Sequence, residues 1–448
     1  LSINVALIIV RIHLSALGCR LNEAELEQWA GAFGAAGDKI TANAEDADVL
    51  VLNTCAVTRE AMRKSRQRVQ RLHRANPEAK LVVSGCYSTL ESPAALAELG
   101  IDLVVPNSDK DNLVPLTRAE FQQPGMPQSA TAPAQTALFQ RNRHRAFIKI
   151  QDGCRYRCTF CIVTVARGAE RSRPLKTLVD EIQTLAKSGV HEVVLTGVHV
   201  GGYGSDLDTD LYTLVKALLE HTDISRIRFA SVEPWDLSDQ FFTLFDNPRV
   251  QPHMHLPLQS GSDTVLRRMA RRCKTDDFRK MATALRAQVS DFNITTDIIV
   301  GFPGETEAEW QESLSFIEQM DFGHIHIFSY SEREGTKAAT LPNQVPKPIR
   351  SDRSKELHLL AAQQKQKVLE FNLNNAMSSP SDNPPAQTPL VLWERGEQLP
   401  NGQFQHWGYT PNYLKVTTIS DQNLTNLLLP TRLTGIDDSV LTGQTGIN

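Results

Sequence analysis

The chain has 448 residues, enough for two or three domains, and its 41% hydrophobic and 22% charged residues are those of an ordinary folded protein. A net charge of −4 excludes a global field for nucleic acid, so any RNA contact must come from local basic patches. Seven cysteines, an odd number in a long chain, argue against a disulfide framework.

The apolar start LSINVALIIV is far too short to span a bilayer and lacks the basic flank and cleavage site of a signal peptide. It reads as a first buried strand, and the expectation is a cytoplasmic protein with no membrane contact. Residues 1–120 then alternate strand patterns (10–14, 48–52, 80–84, 103–105) with helical ones (23–35, 58–75, 92–99). That alternation predicts a wound α/β domain with a parallel sheet. Residues 121–141, rich in Pro, Gln, Ala and Thr, read as a linker. Between 142 and 371 the alternation resumes with strands at 147–150, 192–195, 226–230, 254–258, 295–300 and 324–329. The helices between and after them fall at 175–188, 212–221, 238–246, 277–289, 307–320 and within 349–371. Six strand–helix units predict an open, partial (βα)6 barrel, with chemistry at the C-terminal strand ends. A second breaker stretch, SSPSDNPPAQTP, marks a linker at 372–388. Short β segments at 389–393, 413–418 and 424–430 then predict a small antiparallel barrel over 389–448.

Cys154, Cys158 and Cys161, spaced C-x3-C-x2-C, follow the first barrel strand. Three thiolates suit a cubane iron–sulfur cluster with one open iron, whereas structural zinc needs a fourth ligand, here His144 or His199. Cys19, Cys55 and Cys86 each lie just past a strand of the first domain and beside the start of a helix. Strand ends of a wound sheet share one crevice, so these three predict a second three-cysteine cluster; the other reading is ordinary buried cysteines. Cys273, in RRMARRCKT, reads as a bystander.

Other features carry paired readings. Gly197, Gly201 and Gly202 allow close backbone approach or a simple tight turn. Gly301 to Gly304 lacks the Gly-Lys-Ser/Thr ending of a phosphate loop. His253 and His255, and again His324 and His326, share strand faces, as a metal pair or as polar lumen residues beside a substrate. Glu233, past the third barrel strand, is a candidate cofactor contact. The run from Arg59 to Arg74 is either a solvated helix face or a phosphate-binding surface, and 141–145 and 267–274 add basic patches. Trp393, Trp407, Tyr409 and Tyr413 either stack bases or fill the last domain's core.

The cysteine spacing with Phe160 before the last cysteine resembles the radical S-adenosylmethionine (SAM) signature. In order, LGCRLNEAE, NTCAVTREAMRKSRQ, SGCYS, QDGCRYRCTFC, LTGVHVGGYG, HLPLQSGSD and TTDIIVGFPGETE resemble the methylthiotransferases. The ending LWERG…GYTPNYLKV resembles their RNA-binding TRAM domain. The resemblance implies two 4Fe–4S clusters. The one on Cys154, Cys158 and Cys161 chelates SAM at its open iron and, reduced by an external one-electron donor, generates a 5′-deoxyadenosyl radical. The one on Cys19, Cys55 and Cys86 carries the sulfur to be installed, whose donor the sequence leaves open, and a second SAM supplies the methyl group. It also places Phe160, Gly197 and Glu233 beside the cofactor. Among the branches, the run after Asn53 and the segment from Gly197 to Gly204 are most similar to the one modifying C2 of N6-threonylcarbamoyladenosine at position 37, in the tRNA anticodon loop. The isopentenyl-adenosine branch and the ribosomal-protein aspartate branch are the alternatives within the family. A non-catalytic RNA-binding protein with zinc or an electron-transfer cluster is the alternative outside it.

Overall fold

The structure, a computed structural model, describes residues 10–121, 144–377 and 388–446. The apolar start and most of both expected linkers lie outside the described residues. The first region is a five-stranded parallel sheet of β1 (Arg11–Ala16), β2 (Lys39–Thr41), β3 (Val49–Thr54), β4 (Lys80–Gly85) and β5 (Leu103–Val105), in the order β2-β1-β3-β4-β5. Helices α1 (Arg20–Ala35), α2 (Arg59–Ala75), α3 (Cys86–Leu90), α4 (Pro93–Ala97) and α5 (Leu113–Glu120) flank it. β3, VLVLNT, is buried at every position because both sheet faces are covered. The strand order reverses between β1 and β3, which opens a crevice at their C-terminal ends. The helix expected at 92–99 starts at Pro93, with the Ser92 hydroxyl accepting from the Ala95 N–H at 3.3 Å.

The central region carries β6 (Arg145–Lys149), the short hairpin β7 (Gln151–Asp152) and β8 (Arg171–Ser172), and α6 (Val163–Arg167) between the two hairpin strands. It continues through α7 (Leu175–Lys187), β9 (Glu192–Thr196), α8 (Leu211–His221), β10 (Arg226–Phe229) and β11 (His253–His255). Then follow α9 (Asp263–Arg268), α10 (Thr275–Gln288), β12 (Asn293–Val300), α11 (Glu307–Glu318), β13 (His324–Ser329) and α12 (Lys347–Met377). Two parallel three-stranded sheets, β6-β9-β10 and β11-β12-β13, join where the Val232 N–H donates to the His255 carbonyl at 2.9 Å. The result is a curved parallel half-barrel, with β6 and β13 unpaired to each other among the described residues. The expected helix at 238–246 forms as a 3-10 helix, Asp239–Asp246, whose buried Phe241 and Leu244 are three residues apart, the 3-10 repeat.

The last region closes into a barrel in the order β14-β15-β16-β18-β17, from β14 (Leu390–Gln398), β15 (Phe404–Tyr409), β16 (Lys415–Ser420), β17 (Leu427–Asp437) and β18 (Val440–Thr445). The expected small antiparallel barrel forms, with four antiparallel pairings, and it closes through one parallel pair, β16 and β18. Five strands cannot alternate direction all the way round a closed ring, so one pair must run the same way. α12 also extends to Met377, into the stretch expected as linker, because Leu369, Leu373 and Ala376 pack on this barrel's core. The small barrel seals the N-terminal end of the half-barrel strands. Arg228 Nη1 donates to the Pro411 carbonyl at 3.0 Å, and Asn293 Nδ2 to the Asn412 carbonyl at 2.8 Å.

Candidate cluster and substrate site

Cys19 caps α1 just beyond β1, Cys55 follows β3, and Cys86 opens α3 directly after β4. The wound sheet therefore brings all three to one end, close enough that Cys19 and Cys86 each act on the Cys55 thiol. Burial, reinforced by these neighbours, pushes Cys55 up to about 11. Two backbone conformations make the approach possible. Gly18, at φ +102°, leaves no Cβ where one would stand 2.7 Å from Cys55 Sγ. Gly85, at φ +105°, avoids a Cβ 2.3 Å from the Thr54 carbonyl. Asn107 Nδ2 lies 3.8 Å from Cys86 Sγ.

Cys154, Cys158 and Cys161 sit on the loop that β7 and β8 enclose, at the C-terminal end of β6. The Tyr156 N–H donates to Cys154 Sγ and the Val163 N–H to Cys161 Sγ, both at 3.4 Å. Arg271 Nη1 stands 3.9 Å from Cys158 Sγ. Burial pushes Cys154 up to about 12 and Cys161 up to about 11. Phe160 packs against a cluster with Met269, Phe302 and Tyr330, and so anchors the loop. Part of the 267–274 stretch, expected as a basic patch, backs this loop, while Arg267 and Lys274 stay exposed. Arg271 lies over Trp235 at 4.3 Å and Arg272 over Tyr156 at 4.7 Å.

Beside Cys154, His199 forms ion pairs with Glu170 and, at 2.7 Å, with Asp236. Burial opposes its imidazolium, but Asp236, Glu233 and Glu170 raise its pKa. Glu233 Oε2 is buried without a hydrogen-bond partner among the described residues, and its charge acts on Cys154 and Cys161. Burial raises the pKa of this carboxyl. The glycines serve close packing of protein on protein. A Cβ at Gly197 would meet the Gln151 carbonyl at 3.0 Å, at Gly201 the Glu233 carbonyl at 3.0 Å, and at Gly202 the His199 ring at 2.3 Å.

Sequence reasoning missed the joint between the two cysteine sets. α6, which follows Cys161, ends on the buried Arg167. Its guanidinium reaches Glu25 and Asp152 at 3.0 Å each and Asn22 Oδ1 at 2.8 Å. Lys110 pairs with Glu25 at 2.6 Å, and Lys149 with Asp152 at 3.2 Å. Arg167 also lowers the pKa of Cys19 and Cys55, so one buried cation links the loop carrying Cys161 to the other set.

Inside the half-barrel lies a cavity of about 650 Å3. Cys19 and Arg20 line it on the side of the first domain, Gly197 and Ser231 at the strand ends, and Tyr409 and Tyr413 at the small barrel. His253, His255, His324 and His326 all face it, while Met254 and Leu256 point into the surrounding core.

A model of the radical SAM superfamily matches residues 148–317, and one of uncharacterized protein family UPF0004 matches residues 11–106. The threonylcarbamoyladenosine tRNA methylthiotransferase MtaB of Bacillus subtilis is 33% identical over 416 residues, spanning 90% of this chain and 89% of its own length. The chain belongs to the radical SAM tRNA methylthiotransferases. The MtaB of Chlamydia pneumoniae is 32% identical and spans 96% of this chain and 97% of itself. A tRNA-2-methylthio-N(6)-dimethylallyladenosine synthase of Caldicellulosiruptor saccharolyticus is 36% identical, over 77% of this chain and 76% of its own. Among solved structures, the radical SAM methyltransferase TsrM of Kitasatospora setae aligns with TM-score 0.56 at 14% identity, covering 74% of this chain and 77% of that one, and it shows the fold alone.

This methylthiotransferase is an enzyme whose cofactors are SAM and two 4Fe–4S clusters. The donor sets fit them. Bonds of about 2.3 Å to one tetrahedral zinc hold its sulfurs roughly 3.8 Å apart. Neither cysteine set gathers its three sulfurs within 4.8 Å, as suits thiolates on separate irons. Cys154 does come within 4.8 Å of Glu170 and His199, but that imidazole is already committed to two carboxylates. His144, the other proposed zinc ligand, precedes β6 at the opposite end of the strand from the cysteine loop. Cys273 is buried in the half-barrel core. Of the aromatic residues in the methylthiotransferase's last region, Trp393 is core, and Tyr409 and Tyr413 stack on each other at 4.7 Å beneath the cavity. Arg145, expected in a surface patch, is buried beside Glu192 and Glu394. Among the described residues, no helix is long and apolar enough to cross a membrane.

Proposed function

We propose that this methylthiotransferase acts in the cytoplasm on N6-threonylcarbamoyladenosine beside the tRNA anticodon, replacing the C2 hydrogen with a methylthio group. The observation that carries the reading is that one cavity is lined by Cys19 of the first cysteine set and by Gly197, which packs on Gln151 three residues before Cys154. An adenine held there lies against Cys19 and close to the strand ends that carry the other loop. Cys154, Cys158 and Cys161 hold one cluster, and Cys19, Cys55 and Cys86 the other. When bound, the clusters and SAM supply the electron, the radical, the sulfur and the methyl group. The reductant is external, and the identity of the sulfur donor stays open.

The chain's own part is to bind, orient and exclude water. Glu233 Oε2, buried and without a hydrogen-bond partner, accepts from the α-ammonium of SAM. Gly197 ends β9 at the cavity wall, where its backbone meets the cofactor without a side chain between. Phe160, locked into its apolar cluster, fixes the cysteine loop. Tyr409 and Tyr413 shut the far end against solvent. A polar lumen with four histidines and several cations suits the threonylcarbamoyl group better than an apolar isopentenyl chain.

α2 supplies the RNA face. It buries Ser65, Val69 and Leu72 against the sheet and exposes Arg63, Arg71 and Arg74. Replacing Arg71 and Arg74 with Ala should weaken tRNA binding several-fold and lower the log–log salt slope by about 1–2. Titrating labelled tRNA at several salt concentrations checks this, and an unchanged slope would remove α2 from the interface. The function itself is tested by nucleoside mass spectrometry of tRNA from cells lacking the gene. The methylthio mark on threonylcarbamoyladenosine should vanish; its persistence with loss on isopentenyl-adenosine would refute the reading.

A further inference from the structure

The cavity is lined by five cations, Arg20, Arg145, Arg228, Lys365 and Lys415, against the single carboxylate of Asp297. Three of the five are already engaged. Arg145 and Arg228 pair with Glu192, at 3.6 and 2.8 Å. Lys415 is exposed and lies over the Trp407 ring at 5.7 Å. Asp297 is taken by His255 Nε2 at 3.2 Å. Arg20, which lies over the Phe147 ring at 5.2 Å, and Lys365 have no carboxylate partner among the described residues. Arg20 spends one donor on the Tyr413 hydroxyl at 3.1 Å, which holds the guanidinium in place and leaves its other N–H groups uncommitted.

The surrounding imidazoles do not compete for an anion. Burial pushes His324 down to about 4, with His326 and Lys365 adding to the effect. Burial lowers His326 as well, helped by His255, and Arg20 contributes there too. At neutral pH His324 and His326 are therefore neutral, hydrogen-bonding rings beside Arg20 and Lys365. A cavity built this way binds an anion.

The threonylcarbamoyl group named for the relatives carries such an anion, the free carboxylate of its threonyl part, and the dimethylallyl group does not. The geometry points to Arg20 and Lys365 as the residues that hold this carboxylate and thereby choose between the two N6 substituents. This rests on the substrate reading above. Arg20 comes from the first domain and immediately follows Cys19, and Lys365 comes from α12, so the anion is gripped from two sides of the lumen. The neutral His324 and His326 rings are left to pair with the ureido N–H and hydroxyl groups. An apolar substituent offers neither cation a partner, so the two substituents are told apart by the attraction that only the carboxylate gains.

The test uses the full chain with both clusters reconstituted and anticodon stem-loops carrying unmodified adenosine, threonylcarbamoyladenosine, its carboxyl methyl ester, or isopentenyl-adenosine. Wild type should bind the threonylcarbamoyl loop about tenfold or more tighter than the unmodified one, the worth of a charge-assisted hydrogen bond. Esterification should abolish that preference. Lys365→Met and Arg20→Gln should each cut the ratio to within about threefold, while Lys365→Arg retains it. Arg20 adjoins Cys19, so if Arg20→Gln loses iron, Lys365→Met decides alone. A wild-type preference that survives esterification and Lys365→Met overturns this inference and leaves the substrate reading standing. A wild type that prefers the isopentenyl loop overturns both.

Discussion

A Cys154→Ala protein will release no 5′-deoxyadenosine from SAM, while a Cys55→Ala protein will release it normally and install no methylthio group. Each should carry ~4 irons per chain after anaerobic reconstitution, against ~8 in the wild type. The asymmetry follows from where the thiols sit. Cys154, Cys158 and Cys161 share one loop, pinned by the Thr159 N–H to the Met269 carbonyl at 3.0 Å and by Phe160 in its cluster. Glu233, proposed above as the acceptor for SAM, adjoins that loop. Cys19, Cys55 and Cys86 come from three strand ends of a different sheet, and of these Cys19 lines the cavity. Iron analysis with chromatography of deoxyadenosine and modified nucleosides checks both variants. Equal loss of cleavage in the two would show that the sites do not have separate roles.

Arg167→Ala should destabilise the joint between the first sheet and the half-barrel by about 3–5 kcal/mol, the usual cost of removing one partner from a buried ion pair. The Arg167 side chain is 2% exposed, Glu25 1% and Asp152 5%, so water cannot take over its role. Burial disfavours the Glu25 carboxylate, yet Lys110, Arg167 and Lys149 hold its pKa well below the ordinary 4.5. Asp152 is likewise held low against burial by Arg167 and Lys149. Carboxylates depressed in this way add stability that is complete above about pH 4.5 and is lost as the pH falls through their folded-state values. Wild type should therefore lose stability steeply below pH 4, and Arg167→Ala should be weak already at pH 7 with a flatter acid profile. Denaturant titrations at several pH values measure this. A variant as stable as wild type at pH 7 would show that the cluster does not hold the joint.

What the sequence disclosed depended on how local each signal was. The alternation of strands with helices identified a parallel wound sheet, and six repeats of the pattern identified the half-barrel. Cys154, Cys158 and Cys161 were legible from spacing, and Cys19, Cys55 and Cys86 from their common position past strand ends. Arg167 was not, because its partners Glu25 and Asn22 lie more than 140 residues away and a lone arginine near the end of a short helix has no pattern. The charge run RRMARRCKT was legible only as a basic patch, and the fold adds that Arg271 and Arg272 lie over Trp235 and Tyr156. β15 went unread although Asn401-Gly402, with Gly402 at φ +87°, is a hairpin turn signal between it and β14. The parallel closure of β16 on β18 follows from a strand count that short segments alone did not reveal.

The most direct test incubates the reconstituted chain with SAM, a low-potential reductant and two tRNAs, one carrying threonylcarbamoyladenosine and one isopentenyl-adenosine. The account predicts 5′-deoxyadenosine together with a methylthio mark on the threonylcarbamoyl nucleoside alone. A mark on the isopentenyl nucleoside, or deoxyadenosine with neither tRNA modified, would contradict it.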